Sequence, residues 1–535
     1  MVTDKDKQGM IFDPLDMNNY RVEKLPKAQK SKSEKWMSVA GIPLAVIVFI
    51  WLYAFADIGF LNNINTSYLS KEAAQRYADL GSAVFSRINY AMLAIFAAAI
   101  ILWITEAIPN YLTSLLVIFG IVMTGVTSEK TAYAQLGHPV MWLNILSFIL
   151  ASMLVKTQVA KRFALWFVVR FGKNASTVIL SFMVINIVLS AFISATTAKA
   201  AILLPIFMVV AAIYGATDGK RNNFGRNLVL QNLFQINMGA TGFVTGSGAN
   251  LLAGSLIAGA MGWKLFSYQD WFIVAFPLSV TLMLIGWVVG AKIFFPLKPE
   301  ERVPQIEGGI ERLKEELAKL GKMKFEEYKA IAIFVAVLAL WATDRQHGIS
   351  QTAVAFGGAI IALLPKIGIV KWNDVDIPWH LLLFSAGAYT LGAGLEATGL
   401  PATIIDTAFN SLGVSESTPF WVLYVILTGA MLFTALLFQS KTMMTLIFIP
   451  IAIGTAQKFG YPVMSLAFPV ALLIGHVYVL PFNSKPAALL YTTNHYSWSD
   501  TFKFGITMMC MAWLMIIVWG ETVLRWFGYT QGVFF

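Results

Sequence analysis

The sequence predicts an all-α polytopic membrane protein built from two related halves, and three observations carry that prediction. Apolar residues make up 57% of the 535 positions while charged residues reach only 13%, and the mean hydropathy is +0.68. A soluble domain carries about a quarter charged residues. Apolar stretches recur along the chain and leave room, at roughly 20 residues per span, for about ten to fourteen membrane segments, read as about 11 transmembrane helices plus two re-entrant helical hairpins. The third observation is a repeated design: ISATTAKAAILLPIF at 193–207 and FQSKTMMTLIFIPIA at 438–452 each set a Ser/Thr cluster with a lysine before an apolar run into a proline. Thr197 precedes Pro205 by eight residues and Thr442 precedes Pro450 by eight. The two segments are therefore candidates for equivalent positions in an internal repeat, and their lysines suggest a binding site for an anion.

The chain divides at its charged stretches. Residues 1–36 form a basic N-terminal segment with Lys24, Lys27, Lys30, Lys32 and Lys35, directly before the apolar run 37–56. It is too long and polar for an ordinary secretory signal, so the first span is retained with its basic end in the cytoplasm. The lysines read as a topology signal, with contact to anionic lipid as the lesser alternative. The first transmembrane half covers 37–297. Within it the polar stretch 57–88 reads as an external loop or short helix, followed by spans or partial spans at 89–108, 111–127, 139–156 and 159–171. Residues 298–328 are the one long charged interior stretch, and Ile310, Leu313, Leu317 and Leu320 recur there at helical spacing, as in a surface helix joining the halves. The second half, 329–535, continues through apolar segments ending at 505–527.

Two segments read as re-entrant helical hairpins. Residues 175–215 are apolar at both ends, broken by SATTAK, and flanked by Arg170 and Lys173 on one side and Lys220, Arg221 and Arg226 on the other. If both basic flanks are cytoplasmic, the segment enters and leaves on the same face. The second hairpin, 417–458, has Asn410, Ser411, Ser415, Glu416 and Ser417 before it and only Lys458 at its end, so it opens to the opposite face and makes the two repeats inverted. Two further apolar runs are interrupted, TGFVTGSGANLLAGS at 241–255 and VYVLPFNSKPAALLY at 477–491, with Ser247 and Ser484 in comparable places. Irregular backbone deep in a bilayer survives only where it is buried in protein or lines a polar cavity, so the tips and breaks imply one central site. Unwound carbonyls suit a cation there, and half-helix N-termini suit an anion.

Composition argues against other classes. The single cysteine, Cys510, offers neither a disulfide framework nor a thiolate site, and the five histidines are scattered without an HExxH pair. No cofactor, resident metal or nucleic-acid module is indicated, and no nucleophile–base constellation suggests an enzyme. A cation/proton antiporter would need an intramembrane carboxylate pair, and a transporter-like receptor would need a signalling domain. Neither stands out.

These residues resemble the divalent anion/sodium symporter family of dicarboxylate, citrate and sulfate carriers. That family carries an S-N-T signature at each of two hairpin tips, with the downstream pattern seen in TAKAAILLP and TMMTLIFIP. EAIPNYLTSLL at 106–116, PWHLLLFSAGAYTLGAGLEATGL at 378–400 and SKPAALLYTTNHYSWSDTFKFGI at 484–506 are similar to family segments too, so the resemblance spans roughly 89–527. It implies a homodimer in the plasma or inner membrane, with a scaffold part and a transport part that moves like an elevator. Carried over by position, it implies a substrate site at Ser194, Thr196, Thr197, Lys199, Ser247, Asn250, Ser440, Lys441, Thr442, Ser484 and Lys485. A sodium-coupled mode would place the ion at Thr197, Gly246, Thr442 and Asn483.

The departures from the family pattern shape the expected mechanism. The signature asparagine is Thr196 in one tip and Lys441 in the other. The family's G-[ST]-P-P-N stands as Gly246, Ser247, Gly248, Ala249, Asn250, and its T-P-P-N as Ser484, Lys485, Pro486, Ala487. Lys199 looks like the counterpart of an arginine that sodium-independent exchangers of the family carry in a T-A-R context. A mid-membrane lysine costs about 2.5 to 3.5 kcal/mol, so three require an offset. A di- or trivalent anion supplies one, and fixed ammonium groups would stand in for bound sodium. The favoured expectation is thus sodium-independent exchange of a small divalent or trivalent anion, with sodium-coupled symport as the alternative. The plainer alternatives are snorkelling for Lys199 and Lys441, a loop position for Lys485, and helix packing for the hydroxyls. Glu106 and Glu396 read as helix-end charges.

Overall fold

The computed structural model of the chain describes residues 13–20, 32–66, 69–172, 174–217, 221–262, 267–375, 377–411, 418–438 and 440–534. Lys24, Lys27, Lys30, Lys173, Lys220, Ser415, Glu416 and Ser417 lie outside the described residues, as do the side chains of Lys32 and Asn410. Helices are the regular elements among the described residues. Six are long and apolar enough to cross a membrane, and six further apolar helices are shorter.

The first group is α1 (Lys32–Ile50), the short α2 (Gly59–Asn62), α3 (Lys71–Thr105), α4 (Asn110–Met123), the short α5 (Glu129–Ala134), α6 (Pro139–Lys156) and α7 (Val159–Phe171). The sequence reading of 57–88 as a loop or short helix is corrected here, because α3 already begins at Lys71. Its charges sit among strong helix formers, Ala73, Ala74, Gln75 and Arg76, and Ser70 caps the start by accepting from the Ala73 amide at 3.2 Å. Gly81, at φ +77°, kinks the helix without ending it.

The next set holds the first of the two lysine motifs. It comprises α8 (Ala175–Phe192), α9 (Thr196–Ile213), α10 (Asn223–Thr241), a break at Gly242–Ser247, and α11 (Gly248–Ala260). Then come α12 (Tyr268–Val288), α13 (Gly309–Lys319), α14 (Phe325–Ala342), the short α15 (Asp344–His347), α16 (Gln351–Leu363), α17 (Trp379–Thr398) and α18 (Leu400–Ser411). The charged connection holds a short 3-10 turn at Pro299–Arg302 and ends in the first turn of α14, with α13 between them. Leu313 is buried, Ile310, Leu317 and Leu320 are half-buried, and the helix lies on α7. Arg162 of α7 fixes its end by donating to the Leu320 and Gly321 carbonyls at 2.9 and 2.8 Å and pairing with Glu327 at 2.6 Å. Cationic donors at free helix C-terminal carbonyls satisfy them and complement the dipole.

The second lysine motif lies in α19 (Phe420–Thr434), α20 (Lys441–Lys458), α21 (Val463–Leu472), a break at Leu473–Ser484, and α22 (Lys485–Tyr491), followed by α23 (Trp498–Glu521) and α24 (Val523–Trp526). The two sets pack alike. α10 lies on α8 and α9 as α21 lies on α19 and α20, and they cross over, α9 on α22 and α20 on α11. α17 meanwhile packs on α3 and α4, with Ser114 donating to the Phe384 carbonyl at 3.1 Å. A Cβ on Gly387 would stand 2.2 Å from that of Ser114, so the close approach of α4 and α17 depends on the glycine.

Candidate functional site

The crossing of the two sets leaves a cavity of about 2060 Å³. Its polar wall is built from four helix starts. α9 begins at Thr196 after Ala195, α11 at Gly248 after Ser247, α20 at Lys441 after Ser440, and α22 at Lys485 after Ser484, and all of these residues line the cavity. Helix N-termini present unpaired amides and the positive end of the dipole, so four of them around one space favour negative charge.

The starts differ in how they are capped. Ser247 accepts from the Asn250 amide at 3.2 Å and Ser484 from the Ala487 amide at 3.3 Å, and both caps are extended, with φ/ψ near −156°/153° and −158°/158°. α9 and α20 have no side-chain cap: Ala195 lacks the group, and the Ser440 hydroxyl makes no capping bond. The first turns of α9 and α20 thus lack a side-chain cap, whereas those of α11 and α22 have one.

Nine of the eleven expected substrate residues line this one cavity: Ser194, Thr196, Thr197, Ser247, Ser440, Lys441, Thr442, Ser484 and Lys485. The other two do not. Lys199 is fully buried one turn below the first tip, where its ammonium donates to Ser190 Oγ at 2.8 Å and the Ile236 carbonyl at 3.4 Å. Its distance from the cap explains the difference, since Lys199 is the fourth residue of its helix and Lys441 is the first. The lysines accordingly stand six and nine residues before Pro205 and Pro450, each of which is the tenth residue of its helix. Asn250 points away as well, and its amide donates to the Ala240 and Phe243 carbonyls at 2.9 and 3.0 Å, tying α11 to the end of α10.

The expected sodium positions divide in the same way. Thr197 and Thr442 line the cavity. Gly246 serves the break: a Cβ there would stand 2.2 Å from the Ala240 carbonyl oxygen. Asn483 is the second break's counterpart of Asn250, donating to the Ala435 and Phe438 carbonyls at 2.9 and 3.2 Å and accepting from the Leu480 amide at 2.7 Å. Glu106, read from sequence as a helix-end charge, lines the cavity at the end of α3.

Several lining residues had no motif to reveal them. Asn144 on α6 stands beside the start of α11, its Oδ1 3.7 Å from where a Gly248 Cβ would be. Lys156 and Asp374 form an ion pair at 2.7 Å on an exposed edge of the cavity, joined across 218 positions of sequence. The Lys156 ammonium, with the Lys371 amide, holds the Asp374 carboxyl below the usual carboxylate range. Asn144 is a lone amide in an apolar span, a signal that sequence could have offered. The ion pair had none.

Residues 82–529 match the family described as the sodium:sulfate symporter transmembrane region. The chain is 24% identical over 461 residues to a protein of Cupriavidus necator named simply membrane protein, covering 82% of this chain and 88% of that one. It is 25% identical to the sodium-dependent high-affinity dicarboxylate transporter 3 of Caenorhabditis elegans, over 78% of this chain and 80% of the relative. It is likewise 25% identical to the sodium-dependent dicarboxylate transporter SdcS of Staphylococcus saprophyticus, over 81% and 87%. A family match over more than four-fifths of the sequence makes this chain an integral membrane transporter, not an enzyme, and a member of the sodium:sulfate symporter family, the divalent anion/sodium symporters that its motifs resemble.

Proposed function

We propose that this protein is a secondary active transporter of a small divalent or trivalent anion, with a C4-dicarboxylate the first candidate and sulfate the second. The observation that carries the reading is the convergence of four helix starts and two lysines, Lys441 and Lys485, on one cavity. Charge-assisted hydrogen bonds from ammoniums and free amides suit carboxylate and sulfate oxygens alike. The substrate would be held by Ser194, Thr196, Thr197, Ser247, Ser440, Lys441, Thr442, Ser484 and Lys485. Lys199 and Asn250 would support the tip and the break from behind.

For the coupling ion, sodium symport is the first reading. The named relatives are sodium-dependent, and the withdrawal of Lys199 leaves the first tip without a fixed cation. Sodium would then sit by Thr197 and the carbonyls near Gly246, and on the other side by Thr442 and the backbone at Asn483. Sodium-independent exchange is the second reading and rests on Lys441 and Lys485, whose ammoniums offer the cavity charge that sodium would otherwise bring. Both readings use two inverted repeats, with hairpins at 175–215 and 417–458, a 37–297 and a 329–535 half joined by 298–328, and an elevator movement of the transport part. Both place a homodimer in the plasma or inner membrane with residues 1–36 in the cytoplasm.

Purified protein in liposomes decides between them. Labelled succinate should enter empty vesicles when an inward sodium gradient is imposed and not when potassium replaces it. Uptake that ignores sodium and requires internal succinate overturns symport in favour of exchange, and the absence of both succinate and sulfate transport overturns the anion reading.

A further inference from the structure

Three basic side chains gather at the cavity wall from three different elements, Lys441 lining the cavity and Lys199 and His476 buried outside its lining. Lys199 comes from α9, Lys441 from the start of α20, and His476 from the break before α22. Lys441 lies within electrostatic reach of both others. Lys199 and His476 are buried, at 0% and 1% exposure. Among the described residues none of the three is paired with a carboxylate. Lys199 has only Ser190 Oγ and the Ile236 carbonyl. His476 shares a hydrogen bond of 2.7 Å between Nδ1 and the Tyr478 hydroxyl, and its Nε2 has no partner.

Among the described residues, no carboxylate of the elements packed around the cluster is paired with it. α9 is enclosed by α7, α8, α10 and α22 and by the turn Met17–Tyr20. The titratable or charged residues these carry are Lys161, Arg162 and Arg170 on α7, Arg226 on α10, Lys485 and Tyr491 on α22, and Tyr20 in the turn. Arg162 is paired with Glu327 and Arg226 with Asp500. Around α20, α17 carries His380, Tyr389 and Glu396, α19 carries Tyr424, and α11 and α21 carry none, while the side chain of Asp406 on α18 lies outside the described residues. Toward α8 and α10 the surroundings are neutral carboxamides: Asn186, one turn before Ser190, donates to Asn232 at 3.0 Å and Gln235 at 3.3 Å.

Three protons on such a cluster repel one another and give up hydration without a counter-ion. A dianion arriving at Lys441 changes that balance, because it lowers the energy of every positive charge nearby. We propose that Lys199, Lys441 and His476 form a proton-binding site that takes up a proton when the anion binds, so that the loaded site holds anion and proton together. No bond other than N–H is made: the proton comes from solvent water, joins a free amine or imidazole nitrogen, and returns to solvent when the anion leaves. This rests on the reading that the cavity takes a dianion, whichever ion drives transport.

Calorimetry on the purified full-length protein at pH 8 tests it, with succinate titrated in two cationic buffers of different ionisation enthalpy, Tris and triethanolamine. Linkage requires the apparent heats to differ by the uptake of about one proton per succinate bound. Sulfate, which cannot itself be protonated at that pH, is titrated in parallel and should show the same difference. Lys199→Met and His476→Gln should each bind succinate with a reduced difference between buffers. Binding with equal heats in the two buffers overturns the proposal and leaves the transport reading intact. Failure of both succinate and sulfate to bind overturns the transport reading, and the proton site with it. The wild-type comparison decides even if a variant fails to fold.

Discussion

Asn250 and Asn483 perform one task at the two breaks: a single buried amide donates to two carbonyls at or just past a helix end. Replacing either with alanine should remove both bonds and destabilise the protein by about 2 kcal/mol, at about 1 kcal/mol per net hydrogen bond. A fall in the thermal unfolding midpoint measures that. Lys441 belongs to the ligand instead, so Lys441→Met should weaken succinate binding by roughly tenfold or more while leaving the unfolding midpoint near that of the wild type, as expected when a charged hydrogen bond worth about 1.5 to 3 kcal/mol is lost. The Lys156–Asp374 pair makes a contrasting prediction for pH. Asp374 has a depressed folded-state pKa, so its contribution is present above the ordinary carboxylate value and is lost only as pH falls through the lower folded value. Any change of transport between about pH 6 and 8 should therefore persist in Asp374→Asn, a comparison that uptake assays can make directly.

At the scale of elements, the two broken helices meet at a point set by a glycine. A Cβ on Gly475, in the second break, would lie 2.2 Å from Thr241 Oγ1 at the end of α10. Gly475→Ala should abolish transport or expression, and Thr241→Ala in the same chain should restore part of it, because it removes the clashing hydroxyl. Gly246→Ala has no such rescue, since its neighbour is the Ala240 carbonyl of the backbone. Restoration of both variants by Thr241→Ala would contradict this packing. These elements were largely legible beforehand: SATTAK and the Ser440–Lys441 pair fall at the starts of α9 and α20, because small and hydroxylated residues interrupt an apolar run there. The serines that end the breaks are matched caps for the same reason. The place of Lys199 was not legible. Lys199 stands three residues nearer its proline than Lys441 does, and sequence does not show what a side chain nearly one turn further into the helix is buried against. The start of α3 was missed because charged helix formers look like a loop to a hydropathy pattern.

For the molecule as a whole, the shared cavity predicts that the two tips report on one ligand. In a Cys510→Ala background, cysteines placed at Thr197 and at Thr442 should both react with a thiol reagent, and succinate should slow both reactions. Protection at one tip alone would separate them into two sites. What could not be read from sequence at this scale was the rest of the lining, where Lys156, Asp374 and Asn144 come from distant parts of the chain without any local pattern. The lining also includes Trp103, Phe148 and Phe384. The cavity, at about 2060 Å³, is at least twice the size of ordinary ligand sites of about 300 to 1,000 Å³. A natural dianion seated at the tips therefore leaves most of the space to water. Drug-like molecules can exploit that vacancy: a dicarboxylate head joined to a bulky aromatic tail would dock its head as cargo does and lay its tail along Trp103, Phe148 and Phe384, acting as a competitive blocker too large to be carried.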